Sequence, residues 1–530
     1  MNGLTQLIYW LVHDKLHWTQ AASPDAMPWF WLVLAAVAAV VPVWLLAQAV
    51  AGVSTYIERK VAADIQRRVG PNQAGILGKS LKKDVIPLLP LPDSLNRLIA
   101  ALIPGFIDRM IQRIGGIGEI IFLADGVKLI MKEDLVPAKA DKPLFRLSPM
   151  LVVMSIFPAW AVLPFAARYT IANLNIGIFF IAAVTSIAVI GILMAGWASN
   201  NKWALLGGMR AAAQIVSYEL PAGMVIITAI LITGSMSMFA ICENQCGYAV
   251  DHARVTEQIA AENAHLVHPA QGTPPGPLPV VIQESTYSVA SVPMSGWFFD
   301  WNIFNPVLLV LAGVYFVSIL AESNRTPFDI PEAESELVAG YHTEYSGIRF
   351  SFFMMAEFNE VWILAGVFVT IFLGGFYSGI PWLEHLVMID PHAAKAFHFD
   401  NYAWYSLFLH VPAFLLKTFA VVLVIMWVRW TLPRFRVDQM MSLCWKKLIP
   451  IAASITLVMT LWTLFSPGIY AALSTPAIPG EFYGDILKAI FSIALAIWLF
   501  RFFRQPTHAE ATQRNADLVP PTQVGTAVTG

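Results

Sequence analysis

Residues 176–233 read IGIFFIAAVTSIAVIGILMAGWASNNKWALLGGMRAAAQIVSYELPAGMVIITAILIT, and they decide the fold. Two apolar runs, Ile176–Ala198 and Ala211–Thr233, flank a short polar connection holding Lys202 and Arg210. Each is about as long as the ~20 residues that carry an α-helix across ~30 Å of hydrocarbon. Working outward, seven more segments pass the same test: Pro28–Val53, Leu147–Ala167, Ile303–Leu320, Phe352–Gly375, Trp404–Val428, Leu448–Phe465 and Ile486–Phe500. The last is short and reaches both interfaces only if Lys488 and Arg501 snorkel. The pattern predicts an all-α, polytopic transmembrane helical protein.

Composition agrees. Of 530 residues, 57% are hydrophobic and only 13% charged, against roughly 25% charged in a soluble protein. That excludes a soluble enzyme. A formal net charge of −2 leaves no basic excess for a nucleic-acid partner. Cys242, Cys246 and Cys444 are too few for an iron–sulfur cluster held by four thiolates. Cys242 and Cys246 with His252, His265 and His268 match no structural zinc spacing; a disulfide between the two cysteines fits them better. No GxGxxG or GxxxxGK[ST] element appears. The expectation is a chain with no bound metal, flavin or iron–sulfur cluster of its own.

Lys and Arg set the orientation. The connections after spans 1, 3, 5 and 7 hold about 24 of the 33, while the N-terminus and the alternate connections hold about four. The first set, including the long first loop and an acidic loop, is expected in the cytoplasm. Residues 1–27 read as a surface helix, 28–468 as an eight-span core, 469–504 as an extra C-terminal span and 505–530 as a flexible tail. Within the first loop, Asp93 is a fitting N-cap for Leu95, Leu98, Ile99, Leu102, Ile103 and Phe106 at helical spacing, a stretch too short to span and suited to the interface. The outer loop 241–300 contains the proline-rich HPAQGTPPGPLP, and 376–403 is also outer. No internal repeat is visible, which removes support for a paired-repeat transporter.

A carboxylate within a membrane costs ~2.5 to 3.5 kcal/mol on insertion scales, so each one is informative. Glu219 lies inside the fourth span beside Pro221. Glu357 and Glu360 fall on one face of the sixth, and Lys417 supplies a cation at similar depth in the seventh. These are either helix-end groups snorkelling to water or a buried, proton-exchanging relay. The loop 322–349, ESNRTPFDIPEAESELVAGYHTEYSGIR, carries Glu322, Asp329, Glu332, Glu334, Glu336 and Glu344 with only Arg325 and Arg349 as cations. Its interleaved Phe328, Ile330, Leu337, Val338 and Tyr341 are too apolar for a freely solvated run, so packed carboxylates with coupled titrations are expected. The first loop adds Glu58, Arg59, Lys60 and a stretch in which Asp125, Lys128 and Lys132 share a helix face beside Glu133 and Asp134. By spacing alone, that stretch is more simply a surface helix than a site.

Several stretches together resemble one family: ERK at Glu58–Lys60, RVGPN at Arg68–Asn72, LADGVKLIMKED at Leu123–Asp134, NLNIG at Asn173–Gly177, GWASNNKWALLGGMRAAAQIVSYE at Gly196–Glu219, Ala321–Phe358, and TLPRFRVDQMMSLCWKKLIP at Thr431–Pro450. They are similar to the H subunit of NADH–quinone oxidoreductase, respiratory complex I, called subunit 1 in mitochondria. The resemblance implies an eight-span core, here with a ninth span beyond it, at the meeting of membrane and peripheral arms in a bacterial inner membrane. It implies a chamber for a quinone (ubiquinone or menaquinone) whose tail enters between span 1, the amphipathic helix and span 6. Arg59, Arg68, Asp125, Lys128 and Glu133 would line its lower channel. Glu219, Glu322, Glu332, Glu334, Glu336 and Glu357 would form an acidic path to antiporter-like subunits, with Arg325 as their partner. No electron would pass through this chain. The implied partners are peripheral-arm quinone-site subunits, antiporter-like membrane subunits, quinone and membrane lipid.

The chain departs from the family at Asn173, where Asp is common, at Gln73, where bacterial relatives often have Arg, and at Phe358, which replaces a frequent Tyr. About 35 residues near 79–115 look inserted. Two other functions compete: the equivalent subunit of a membrane-bound hydrogenase or of a ferredoxin- or deazaflavin-linked relative, and an autonomous ion transporter. Neighbouring subunits separate the first from the lead reading, and ion flux by the chain alone would mark the second.

Overall fold

The structure, a computed structural model, describes residues 29–68, 70–71, 121–167, 171–243, 245, 301–331, 334–387 and 404–473. The 1–27 helix, the 93–106 stretch, most of the three long loops, the 469–504 span beyond Leu473 and the tail fall outside these residues. So do Gln73, Glu332, Cys246, His252, His265 and His268.

Among the described residues all regular structure is helical. In chain order the helices are α1 Trp29–Ile65, α2 Ile121–Met131, α3 Lys142–Trp160, α4 Gly177–Ala198, α5 Lys202–Thr233 and α6 Met238–Glu243. They continue with α7 Pro306–Glu322, α8 Glu334–Leu337, α9 Gly347–Phe372, α10 Pro381–Val387, α11 Leu407–Thr431, α12 Val437–Leu443 and α13 Ile449–Leu473. A π turn, Cys444–Leu448, joins the last two. Seven helical stretches are long and apolar enough to cross a membrane, in α1, α3, α4, α5, α9, α11 and the α12–α13 run.

Three elements differ from the sequence expectation. α5 begins nine residues before the predicted span, because the Asn201 side chain accepts the Trp203 N–H at 3.0 Å and starts the helix in polar sequence. It ends where Gly234 turns left-handed at φ 67°. α1 likewise runs on past Val53 to Ile65, carrying Glu58 and Arg59 on the helix itself. α7 is apolar but has only 17 residues, ~25 Å of rise against ~30 Å of hydrocarbon. The elbow that follows it, Ser323, Asn324 and Arg325, is buried in protein, so α7 need not cross the bilayer unaided.

α9 is the central helix. Every residue from Asn359 to Phe372 is buried, which is possible only when other helices surround it. α1, α3, α7 and α11 all pack on it. Lipid tails are as apolar as leucine, so close packing and interhelical hydrogen bonds hold such a bundle together. Phe145 of α3 stacks on Tyr345 just before α9, centroids 4.0 Å apart. Trp362 Nε1 donates to Ser54 Oγ of α1 at 2.7 Å. The α9 C-terminus is closed by Lys417 of α11, whose ammonium donates to the carbonyls of Leu373 at 2.7 Å and Gly375 at 3.1 Å and lies 4.0 Å from the Trp301 ring centroid. This corrects the expectation that Lys417 lies at a depth similar to that of the membrane acids: Leu373, which it holds, is sixteen residues along the chain from Glu357, ~24 Å of helix.

α5 meets the loop before α9 at a backbone-to-backbone contact. A Cβ on Gly207 would stand 2.8 Å from Gly340 Cα, closer than carbon atoms approach. Gly207→Ala should therefore force the two apart and cost ~1–3 kcal/mol. The check is the thermal midpoint of the detergent-solubilised assembly, with Gly223→Ala, which meets open space, as the neutral control.

Candidate functional site

At the end of the bundle where α1 finishes and α9 begins, three charges meet in the interior. Glu58 of α1 accepts from Arg325 at 3.3 Å and from Arg429 at the end of α11. The Arg325 side chain is 7% exposed, and its guanidinium lies 4.4 Å over the Phe358 ring of α9. Phe358 has no hydroxyl to offer there and presents a π face, which suits a cation. These groups, with Ser54, Trp362, Val422, Ile425 and Met426, line a narrow crevice between α1, α9 and α11.

Behind it stand the acids. Glu219 of α5, Glu322 at the end of α7, and Glu357 and Glu360 of α9 lie within electrostatic reach of one another, and Glu360 also feels Arg325. Near Glu219, the Ser186 hydroxyl of α4 donates to the Ala182 carbonyl at 2.8 Å. The Tyr341 hydroxyl donates to Glu357 at 2.7 Å. Gln214, one helical turn before Tyr218, donates to the Ala321 and Phe328 carbonyls at 2.7 Å each, fixing the Glu322–Arg325 elbow on α5. One turn along the same face of α5, Tyr218 donates to the Met440 carbonyl at 3.1 Å, and the Cys444 thiol donates to the Ser217 carbonyl at 3.1 Å. The π turn thus packs against α5 at Ser217 and Tyr218. Four carboxylates with one nearby guanidinium cannot ionise independently. Chemically, the group can hold, share and pass protons as a coupled set.

Next to Glu357, the loop histidine His342 is buried, and burial pulls its imidazole below the ordinary value, against the opposing pull of the Glu357 charge. Burial pushes the Tyr345 hydroxyl up to about 12.

Only part of the expected residue set converges. Glu219, Glu322, Glu357 and Arg325 come together as above. Arg59 pairs with Asp125 of α2 at 2.7 Å on the rim. Arg68, Lys128 and Glu133 are exposed. Glu336 departs from the packed-acid expectation: it is solvent-exposed and accepts from Arg210 at 2.6 Å, which holds its carboxyl below the usual carboxylate range. Glu334 lies in α8, and its side chain is outside the described residues. Asp134 meets Arg349 at 2.9 Å.

Sequence reasoning missed Arg429 and the inward turn of Glu58. Arg429 counted merely as one of five cations after the seventh span, and nothing local marks it as reaching inward. Also missed was a buried pair at the opposite end of the bundle, where His410 Nε2 and Glu384 lie 3.0 Å apart and the Ser378 N–H and hydroxyl each donate to Glu384 at 2.7 Å. Among the described residues no three His, Cys, Asp or Glu side chains group as metal ligands. Cys242 is buried, and its expected partner lies outside the described residues.

Comparison with known proteins adds an independent line. Residues 105–268 and 277–501 match the NADH dehydrogenase family. The NADH-quinone oxidoreductase H subunit of Anaeromyxobacter dehalogenans is 35% identical over 482 residues, 89% of this chain and 94% of that protein. The H subunit of Chlorobaculum parvum is 34% identical over 84% of this chain and 97% of its own length. That of Bacteroides fragilis is 36% identical over 67% and 81%.

Two outcomes are expected. Glu58→Gln leaves the buried Arg325 and the half-buried Arg429 beside a neutral amide and should destabilise the folded chain by ~3–5 kcal/mol. Adding Arg429→Gln should cost less than it does alone, a non-additivity read from unfolding midpoints of the four combinations. For His342 the sign is set by its lowered folded value: the unfolded chain takes up a proton first, so stability falls as pH drops below ~6.5. His342→Gln should flatten that acid limb, measured as the thermal midpoint across pH.

Proposed function

The chain belongs to the NADH dehydrogenase family, and from that membership we propose that it serves as the membrane-embedded H subunit of a proton-pumping NADH-quinone oxidoreductase, forming the quinone access channel and the acidic path that couples quinone reduction to proton translocation. In this role it has an eight-span core and a ninth C-terminal span in a bacterial inner membrane. The first loop and the acidic loop face the cytoplasm, against the peripheral arm. One observation carries the proposal: Glu219, Glu322 and Glu357 all act on Glu360, which also feels Arg325, and Arg325 lines a crevice that Phe358, Val361, Val422, Ile425 and Met426 make apolar on its remaining walls.

The crevice, with Phe358, Val422, Ile425 and Met426 as its apolar lining, is closed to about 10 Å³, so in this reading α1 and α11 part from α9 to admit an isoprenoid tail. Arg59, Arg68, Asp125, Lys128 and Glu133 form the charged rim through which the quinone head passes to the neighbouring peripheral subunit. No redox group belongs to this chain, and its part is electrostatic. Reduction of the quinone head changes the charge beside Glu58, Arg325 and Arg429. In a low-dielectric interior a unit charge is felt over many ångströms, so the coupled carboxylates redistribute their protons. Antiporter-like subunits receive the shift laterally. α9 favours a lateral route, since Val361–Val369 is buried and carries no ionisable group.

Glu219→Gln and Glu322→Gln in the assembled complex should each lower NADH-driven quinone reduction and proton uptake by roughly tenfold, ~1.4 kcal/mol in the limiting barrier. Assembly is checked by native gel. Wild-type rates in both variants would remove the acidic path. Arg59→Ala should slow quinone turnover with the complex still assembled. Loss of assembly instead would make the Arg59–Asp125 pair a structural link.

A further inference from the structure

A second feature at the charged end of the bundle is not used by the quinone chamber. Where α4 turns into α5 against the segment leading to α3, Pro137, Lys139, Asn200, Asn201, Lys202 and Glu344 line an open recess of about 530 Å³. Two lysines and one glutamate line it, and the Glu344 carboxylate already accepts from the Asn201 amide at 2.7 Å. Lys202 rests over the Trp203 ring, 5.2 Å from its centroid. The recess therefore favours an anion.

Its surroundings say which kind. Trp197, two residues before the turn, is 68% exposed, and Trp203, two after it, 43%. From Trp197 an exposed apolar stripe, Ile190, Ile187 and Phe179, follows one face of α4 along its length. Those spacings of 7, 3 and 8 keep the residues on one helical face. A soluble anion has no use for such a stripe. A phosphate on an acyl chain does, and tryptophan is the residue that settles at headgroup depth.

We infer that this recess is a binding site for an anionic glycerophospholipid, its phosphate between Lys139 and Lys202 and its acyl chains along the Trp197–Phe179 face of α4. The lipid would hold the α4–α5 turn, and with it the start of the helix that carries Glu219.

The test uses the assembled complex, delipidated in detergent and reconstituted into vesicles of mixed phosphatidylglycerol and phosphatidylcholine, then re-extracted for lipid mass spectrometry. The wild type should retain phosphatidylglycerol over phosphatidylcholine. Lys139→Gln and Lys202→Gln should each reduce that retention by about fivefold, the ratio set by one interfacial lysine. Both positions are exposed, so folding is not at stake, and Lys132→Gln, equally exposed but outside the recess, should leave lipid retention unchanged. Equal retention in the double variant would overturn the inference. So would displacement of bound phosphatidylglycerol by inorganic phosphate at matched ionic strength, which would mark a free-anion site. A third arm acylates surface amines in vesicles of phosphatidylcholine alone: Lys139 and Lys202 should react there. Protection would assign the recess to a neighbouring subunit and overturn it.

Discussion

A charge placed in the interior of a membrane protein must find an opposite charge, a hydrogen-bond donor or a proton, and in this chain that demand converges on Arg325. Its guanidinium meets Glu58 directly, lies over Phe358 and is felt by Glu360. Everything that holds it there is built from backbone geometry. The α7 helix stops at Glu322, the chain folds back with Asn324 at φ 50°, and the Arg325 N–H returns to the Leu320 carbonyl at 3.0 Å. Gln214 then ties this elbow to α5. Because one elbow carries both Glu322 and Arg325, the acid cluster and the triad at the crevice are electrically continuous.

That continuity organises the rest. α1, α5, α7, α9 and α11 each deliver one or two ionisable groups to a shared interior, and none of those helices could keep its charged residue there alone. The charges also differ in standing. Glu336, exposed beside Arg210, is screened by solvent and contributes little energetically, whereas Glu58 sits between two guanidinium groups with water largely excluded. The distinction separates acids that set the protein's interior field from acids that decorate its surface.

Much of this was legible from sequence, for identifiable reasons. Hydropathy located seven of the nine expected spans among the described residues, because length and apolarity are the bilayer's own criteria; the fifth is the shorter α7, and the ninth lies outside those residues. It cut α1 and α5 short because it cannot see a helix continuing through polar residues, which Asn201 initiates in one case and tertiary partners sustain in the other. Glu219 and Glu357 stood out because an acid inside an apolar run is expensive. Glu336 and Glu322 looked alike, both being acids in one loop, and only the fold separates a buried elbow from an exposed turn. The Glu58–Arg325 and Glu58–Arg429 pairs join positions 267 and 371 residues apart, a separation at which local pattern carries no information.

The closure of α9 by Lys417 has a mechanical consequence. Sixteen residues, ~24 Å of helix, separate Glu357 from Leu373, and throughout that interval the helix is clasped by neighbours on all sides. A rod gripped along its whole length transmits axial displacement with little bending. The seat of the acid cluster is thereby referenced to the opposite face of the bilayer, where an ammonium grips three carbonyls. Loosening that grip would retune chemistry at a distance, with no atom near the carboxylates having been altered.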